Sequence, residues 1–220
     1  MKEIKRNKLF SLNESITGKY LKNFNYPYEA LPHIKEFILE IINSLDKEEY
    51  KIDKNIAIAK NATIHPSAVI LGPAIIGKNT NIRVNAFIRE NVIIGDNCVI
   101  GNSCEFKNTI IFNSSQIPHF NYVADSILGY KAHLGAGVIT SNLKADQTNV
   151  TIKYNNKKND TGLRKFGALI GDNAEIGCNT VLNPGTIIGR NSTVYPLSSV
   201  RGYVPENHIY KNEEEIIQKN

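Results

Sequence analysis

Arg89, Lys107 and His119 mark the stretch of this 220-residue sequence whose side chains could do chemistry. Arg89 and Lys107 stand 18 residues apart, and each follows a large apolar residue (Ile88, Phe106) by one place. Cations held in register repel unless an anion lies between them, and phosphate is readily held by such a pair. Neutralisation from within is the competing explanation, through Asp125 in the next position of that column or through Glu90 and Glu105. His119 lies in Gln116-Ile-Pro-His-Phe-Asn-Tyr122, close to that column. A neutral imidazole removes a proton from an attacking amine or hydroxyl, an effect worth roughly 10²–10⁴-fold. His133 is a second candidate. No GxSxG, P-loop or GxGxxG motif occurs, so direct attack of an acceptor on a thioester fits better than a covalent enzyme intermediate. No metal site is expected, and a metal-dependent hydratase would need three convergent histidines that the spacing does not supply.

A repeat must position these groups. Stepping in sixes from position 58 gives Ile58, Ile64, Ile70, Ile76, Ile82, Ile88, Ile94 and Ile100, then Phe106, Phe112, Pro118 and Ala124. Four places after each isoleucine stands a small or compact residue: Ala62, Ala68, Ala74, Thr80, Ala86, Val92, Cys98 and Cys104. The period fits neither a helix nor a simply alternating strand. It predicts a short strand with one inward residue, then a turn whose inner position takes a small side chain. Three such units close one coil of a solenoid, which stacks residues 18 apart at roughly 4.8 Å per coil. Each buried isoleucine contributes on the order of 1.5–3 kcal/mol.

The rhythm is expected to stop after Leu128 and resume in a shifted frame at Leu134; Ile170, Ile176, Leu182, Ile188, Val194 and Val200 then restore it. The expected organisation is a β-helix over 51–205 carrying an inserted loop at about 143–167. That loop holds Lys144, Lys153, Lys157, Lys158, Arg164 and Lys165 against Asp146 and Asp160. Residues 1–50 read as a helical extension that caps the open end of the solenoid. Its main helix runs from Leu31 to Leu45, with a shorter one around Glu14–Asn23. Residues 206–220 are a tail, a short helix or frayed. Three cysteines without CxxC spacing read as reduced thiols, and no apolar run is long enough to span a membrane. A cytoplasmic protein is expected. A net charge of +5, concentrated in one segment, favours an anionic small ligand over nucleic acid.

Four blocks in order resemble the acetyltransferase domain of the bifunctional N-acetylglucosamine-1-phosphate uridyltransferases and related sugar-nucleotide enzymes with a β-helical tail. They are Gly101-Asn-Ser-Cys-Glu-Phe-Lys107, Pro118-His-Phe-Asn-Tyr-Val-Ala-Asp-Ser126, Gly135-Ala-Gly-Val-Ile-Thr-Ser-Asn142 and Lys165-Phe-Gly-Ala-Leu-Ile-Gly-Asp172. The resemblance implies a left-handed winding, opposite to the usual right-handed crossover. It implies acetyl-CoA as co-substrate and an amino sugar as acceptor, a sugar phosphate such as glucosamine 1-phosphate or a nucleotide sugar. His119 would be the general base, oriented by Glu105 and Asn142. Arg89, Lys107, Tyr122, His133 and Lys165 would hold the phosphorylated sugar; Ala136, Cys178 and Pro196 would line the acetyl-CoA groove. A homotrimer is implied, with each site between neighbouring β-helices. His133 replaces a substrate-binding asparagine of that family and Cys178 a serine. The loop between Asn142 and Lys165 is longer than its counterpart, and the glycine-rich signature of the nucleotidyltransferase half is absent. The rival reading is a non-catalytic sugar-phosphate-binding or assembly module derived from such an enzyme.

Overall fold

Short parallel strands, each closed by a tight corner, turn the six-residue period into a β-helix. A computed structural model describes residues 1–155 and 157–219. Chain order defines three faces. The first begins Ile56–Ala59, Ala74–Ile76 and Val92–Ile94; the second Thr63–Ile64, Asn81–Ile82 and Val99–Asn102; the third Val69–Ile70 and Phe87–Ile88. Strands of each face pair in parallel with the coil above, as in Ile58↔Ile76, Ile64↔Ile82 and Ile70↔Ile88. The isoleucine column therefore points inward, and Ile76, Ile82, Ile88, Ile94 and Ile100 are buried together.

The corners explain the small column and the abundant asparagines. One residue per corner adopts positive φ, commonly Asn, as at Asn79, Asn85, Asn91, Asn97, Asn173, Asn179 and Asn191. Asparagine tolerates this left-handed conformation better than most non-glycine residues. The next residue turns inward and must be compact. Cys98 and Cys104 fill that position, as do Thr80, Thr109 and Ser115, whose hydroxyls donate to main-chain carbonyls.

The register departs from a uniform six. Thr109 pairs with Val92 and Ile111 with Ile94, so the coil from Ile94 to Ile111 is one residue short. A second five-residue step separates Val123 from Leu128, whereas Leu128 to Leu134 is an ordinary six. The inward column thus runs Phe106, Ile111, Ile117, Val123, Leu128, Leu134, and not through Phe112, Pro118 and Ala124 as the uniform step predicts. Phe112 turns outward and packs against Phe10 with ring centroids 5.2 Å apart.

The helical segment does not cap the solenoid; it lies along its first face. Ile34, Phe37, Ile38 and Ile41 of the helix Ile34–Ser44 share a core with the outward residues Ile75, Ile93, Ile110, Ile127, Leu169 and Ile187. First-face strands are consequently apolar on both sides, as strands buried on two sides must be. The interior residues Ile58, Ile64 and Ile70 of the first coil remain only partly buried. What borders that end is the strand Tyr50–Asp53, antiparallel to Ile56–Ala59. The expected second helix is reduced to a turn at Leu12–Glu14 and a helix at Gly18–Leu21. A buried carboxylate ties the segment down: Asp172 accepts the Ser11 N–H (2.7 Å) and the Tyr130 N–H (2.9 Å) and faces Arg190 at 3.2 Å.

At the other end the described residues of the tail, 206–219, are not helical but continue the solenoid, and residue 220 lies outside the described residues. His208–Tyr210 continues the second face and pairs with Ile216–Gln218 in an antiparallel hairpin, and Tyr210 joins the core. The insertion leaves after Thr140 at the corner between third and first faces and returns at Ala168. Leu143 bridges Lys165 at its base, and Thr151–Tyr154 pairs antiparallel with Lys157–Asp160.

Candidate functional site

His119 closes the strand Gln116–His119 of the second face, at the corner leading to the third. Register places Gln116 beside His133, Leu134 beside Ile176, and Ile176 beside Val194. Counting on from each pair, His119, Ala136, Cys178 and Pro196 occupy one column on successive coils. The main chain repeats accordingly. Gly137 N–H donates to the His119 carbonyl (3.1 Å), Asn179 N–H to that of Ala136 (2.8 Å), and Leu197 N–H to that of Cys178 (2.9 Å). His119, Cys178 and Pro196 are exposed. The coil below His119 is drawn in so tightly that a Cβ on Gly101 would overlap the Pro118 carbonyl. Only glycine fits there.

The cations lie across the third face from His119. Lys107 sits directly above Arg89, as Phe106↔Ile88 pairing requires. Their neutralisation comes from within the chain. Glu90 lies 3.7 Å from the Arg89 Nε and 3.4 Å from the Lys107 Nζ, and Glu105 accepts from the Arg89 guanidinium at 2.9 Å. That bond to Glu105 raises the Arg89 pKa. The Glu90 carboxyl is held below its ordinary value by a main-chain hydrogen bond and then by Lys107. Asp125 is not in this column. Ala124 is the residue paired with Lys107, because the short coil moves Asp125 one place on.

The remaining predicted site residues divide. Tyr122 stacks on Glu105 in the third face and is half-buried. Burial, then the charges of Glu105 and Asp125, push its phenol up. Glu105 is committed to Arg89, and Asn142 donates to buried Asp125 at 2.5 Å, so neither reaches the His119 ring within this chain. Among the described residues the imidazole of His119 has no hydrogen-bond partner, only its N–H of the main chain donating to Asn121. His133 faces outward from the start of the second-face strand, its Nδ1 2.6 Å from Glu175. Lys165 is exposed at the neck of the insertion. No group of three or more potential metal ligands occurs among the described residues.

Two residues at this corner escaped the sequence reading. Phe120 and Leu197, next to His119 and Pro196, have φ of 51° and 59° and are 59% and 80% exposed. Bulky apolar residues in the left-handed region, facing solvent, are strained and expose surface at once. They border the His119–Pro196 column with apolar walls. The only signal in the sequence was their place in the six-residue rhythm, where asparagine usually stands.

Residues 70–157 match the family described as the GMPPB C-terminal domain, and residues 167–202 match the bacterial transferase hexapeptide (six repeats). The bifunctional protein GlmU of Methanococcus vannielii is 40% identical over 111 residues, 50% of this chain and 27% of that protein. The bifunctional sugar-1-phosphate nucleotidylyltransferase/acetyltransferase of Sulfurisphaera tokodaii is 34% identical over 102 residues, 46% of this chain and 25% of that protein. The chain thus spans about a quarter of the length of these two relatives. Among solved structures, the UDP-N-acetylglucosamine acyltransferase of Francisella novicida aligns over 72% of this chain and 63% of its own, with 14% identity and a TM-score of 0.41. Hexapeptide repeats are thus matched over residues 167–202, and about half of the chain is similar to these two bifunctional proteins.

Proposed function

We propose that this chain transfers an acyl group, acetyl in the simplest case, from coenzyme A to the amine of a phosphorylated or nucleotide-linked amino sugar. The observation that carries the reading is the column of His119, Ala136, Cys178 and Pro196, which puts a solvent-facing imidazole at one end of a strip of compact side chains. Such a strip, walled by Phe120 and Leu197, suits an extended thioester arm that presents its carbonyl to whatever His119 deprotonates. The acceptor nitrogen forms the new bond to the acyl carbon, and the carbon–sulfur bond breaks. His119 takes the nitrogen's proton, and the sulfur leaves with the electron pair. The thioester supplies the activation, so the protein contributes positioning and one proton transfer.

Arg89 and Lys107, with Tyr122, would hold the sugar's phosphate in competition with Glu90. Glu105, Asn142, His133 and Lys165 cannot all serve one His119 from within a single chain. A homotrimer with its site between neighbouring β-helices, in the cytoplasm, is the arrangement in which they would. The internal pairing of Arg89 and Lys107 with Glu90 and Glu105 favours one rival, a module that binds sugar phosphate or assembles without turnover. Thiol release from acetyl-CoA, with glucosamine 1-phosphate and a panel of nucleotide-linked amino sugars, tests the two. Acceptor-dependent release supports transfer; CoA binding without release from any acceptor supports the module.

A further inference from the structure

The basic insertion is not a loose loop, and of its cations only Lys165, at the neck, enters the reading of the His119 site. Val150 and Ile152 are fully buried at the root of its hairpin. Its main chain docks on the solenoid at two glycines: a Cβ on Gly185 would lie 2.9 Å from the Thr151 carbonyl, and one on Gly202 2.8 Å from that of Lys153. Both have φ near +80°, so these close approaches are built into the turn. Tyr154 then meets Tyr203 of the solenoid, ring centroids 5.5 Å apart.

This docking forms a pocket of about 360 Å³ whose lining, among the described residues, includes Lys153, Lys157, Lys158 and Arg201 with Tyr154 and Tyr203, and no acidic residue. Among the described residues none of the four cations is in an ion pair. Lys153 and Lys158 are direct cross-strand partners, an arrangement that costs stability unless an anion lies between them. A second pocket, of about 460 Å³, continues past the same two tyrosines. Arg201 shares the Arg89–Lys107 edge of the third face but stands four coils beyond Lys107, about 19 Å at 4.8 Å per coil. The pocket is therefore separate from the Arg89–Lys107 pair.

We infer that the hairpin pocket is a binding site for a nucleoside diphosphate group, its two phosphates held by Lys153, Lys157, Lys158 and Arg201 and its planar base lying against the half-exposed Tyr154 and Tyr203. Four cations suit the charge of a diphosphate, and an aromatic surface at the edge of a phosphate clamp suits a base. Two sources share this chemistry, a nucleotide-linked sugar and coenzyme A, whose adenosine carries a diphosphate. The site is independent of whether the chain turns over, because it is read by binding alone.

Isothermal titration of the full chain with UDP, GDP, coenzyme A and inorganic pyrophosphate tests it, with Lys153→Ala/Arg201→Ala and Lys158→Ala proteins checked for intact thermal melts. At least one nucleotide is expected to bind more tightly than pyrophosphate and to weaken at least tenfold in the double variant and severalfold in Lys158→Ala. Loss confined to UDP or GDP assigns the site to a nucleotide-linked sugar; loss confined to coenzyme A assigns it to the acyl donor. No nucleotide binding, equal binding by the variants, or pyrophosphate binding as tightly as every nucleotide would overturn the inference.

Discussion

At the scale of single residues, Glu90 is the side chain whose removal says most about the cations beside it. It occupies the space between Arg89 and Lys107 that a phosphate would take. If those cations serve a ligand, Glu90→Gln lowers the KM for a sugar phosphate about three- to tenfold, the equivalent of roughly 1 kcal/mol; an unchanged KM places the phosphate elsewhere. The carboxyl is depressed in the folded state, so its contribution to stability is complete above the ordinary value of 4.5 and fades as pH falls through the folded value. Exposure keeps that contribution small. The thiols offer a second reading of the site. Burial pushes Cys98 up to about 12 and raises Cys104, whereas Cys178 is exposed in the column with His119. One thiol of three is expected to react with a disulfide reagent in the folded protein at pH 8, and coenzyme A is expected to protect it. Three reactive thiols, or no protection, would count against the column as an acyl-donor groove. His119 and Ala136 stand inside the matched blocks, whereas Cys178 and Pro196 lie beyond them, and the strand register sets all four in one column. Asp125 was misplaced by one position, since a uniform count cannot see a coil that is one residue short.

At the scale of elements, the two short coils show where a repeat pattern stops being sufficient. Ile111 and Phe112 are both apolar, and either satisfies an inward position by composition. Phe112 is turned outward by the partner it finds in Phe10, which a periodicity cannot register. The same holds for Asp172, whose sequence neighbours look like any other corner. Its carboxylate holds the Ser11 and Tyr130 amides and the Arg190 guanidinium while nearly fully buried. Asp172→Ala strands those donors, and urea denaturation is expected to show a loss of about 2–3 kcal/mol. A loss under about 0.5 kcal/mol would mean the clasp contributes little. The hairpin was legible only as a basic excursion, because its strands are short and polar and its anchorage depends on Gly185 and Gly202 in later coils.

At the scale of the whole molecule, the first face is sealed by the chain's own helical segment. That leaves the second and third faces, which carry His119, Glu105, Tyr122 and the cations, for ligands or for other copies. The paired isoleucines Ile75–Ile76 and Ile93–Ile94 are the sequence signal for a face buried on both sides, one residue of each pair turned inward and the other outward. Deleting residues 1–45 exposes Ile75, Ile93, Ile110, Ile127, Leu169 and Ile187 as one strip, larger than soluble proteins usually tolerate. Such a chain is expected to aggregate on size-exclusion chromatography, and a soluble one with unaltered elution behaviour would show the segment to be dispensable. The central claim concerns the base at the corner of the second and third faces. Its most direct measurement is the rate of acetyl transfer to an amino sugar phosphate by wild type and His119→Ala, both folded by circular dichroism. The account predicts a fall of roughly 10²–10⁴-fold with little change in coenzyme A binding, and equal rates in the two proteins would contradict it.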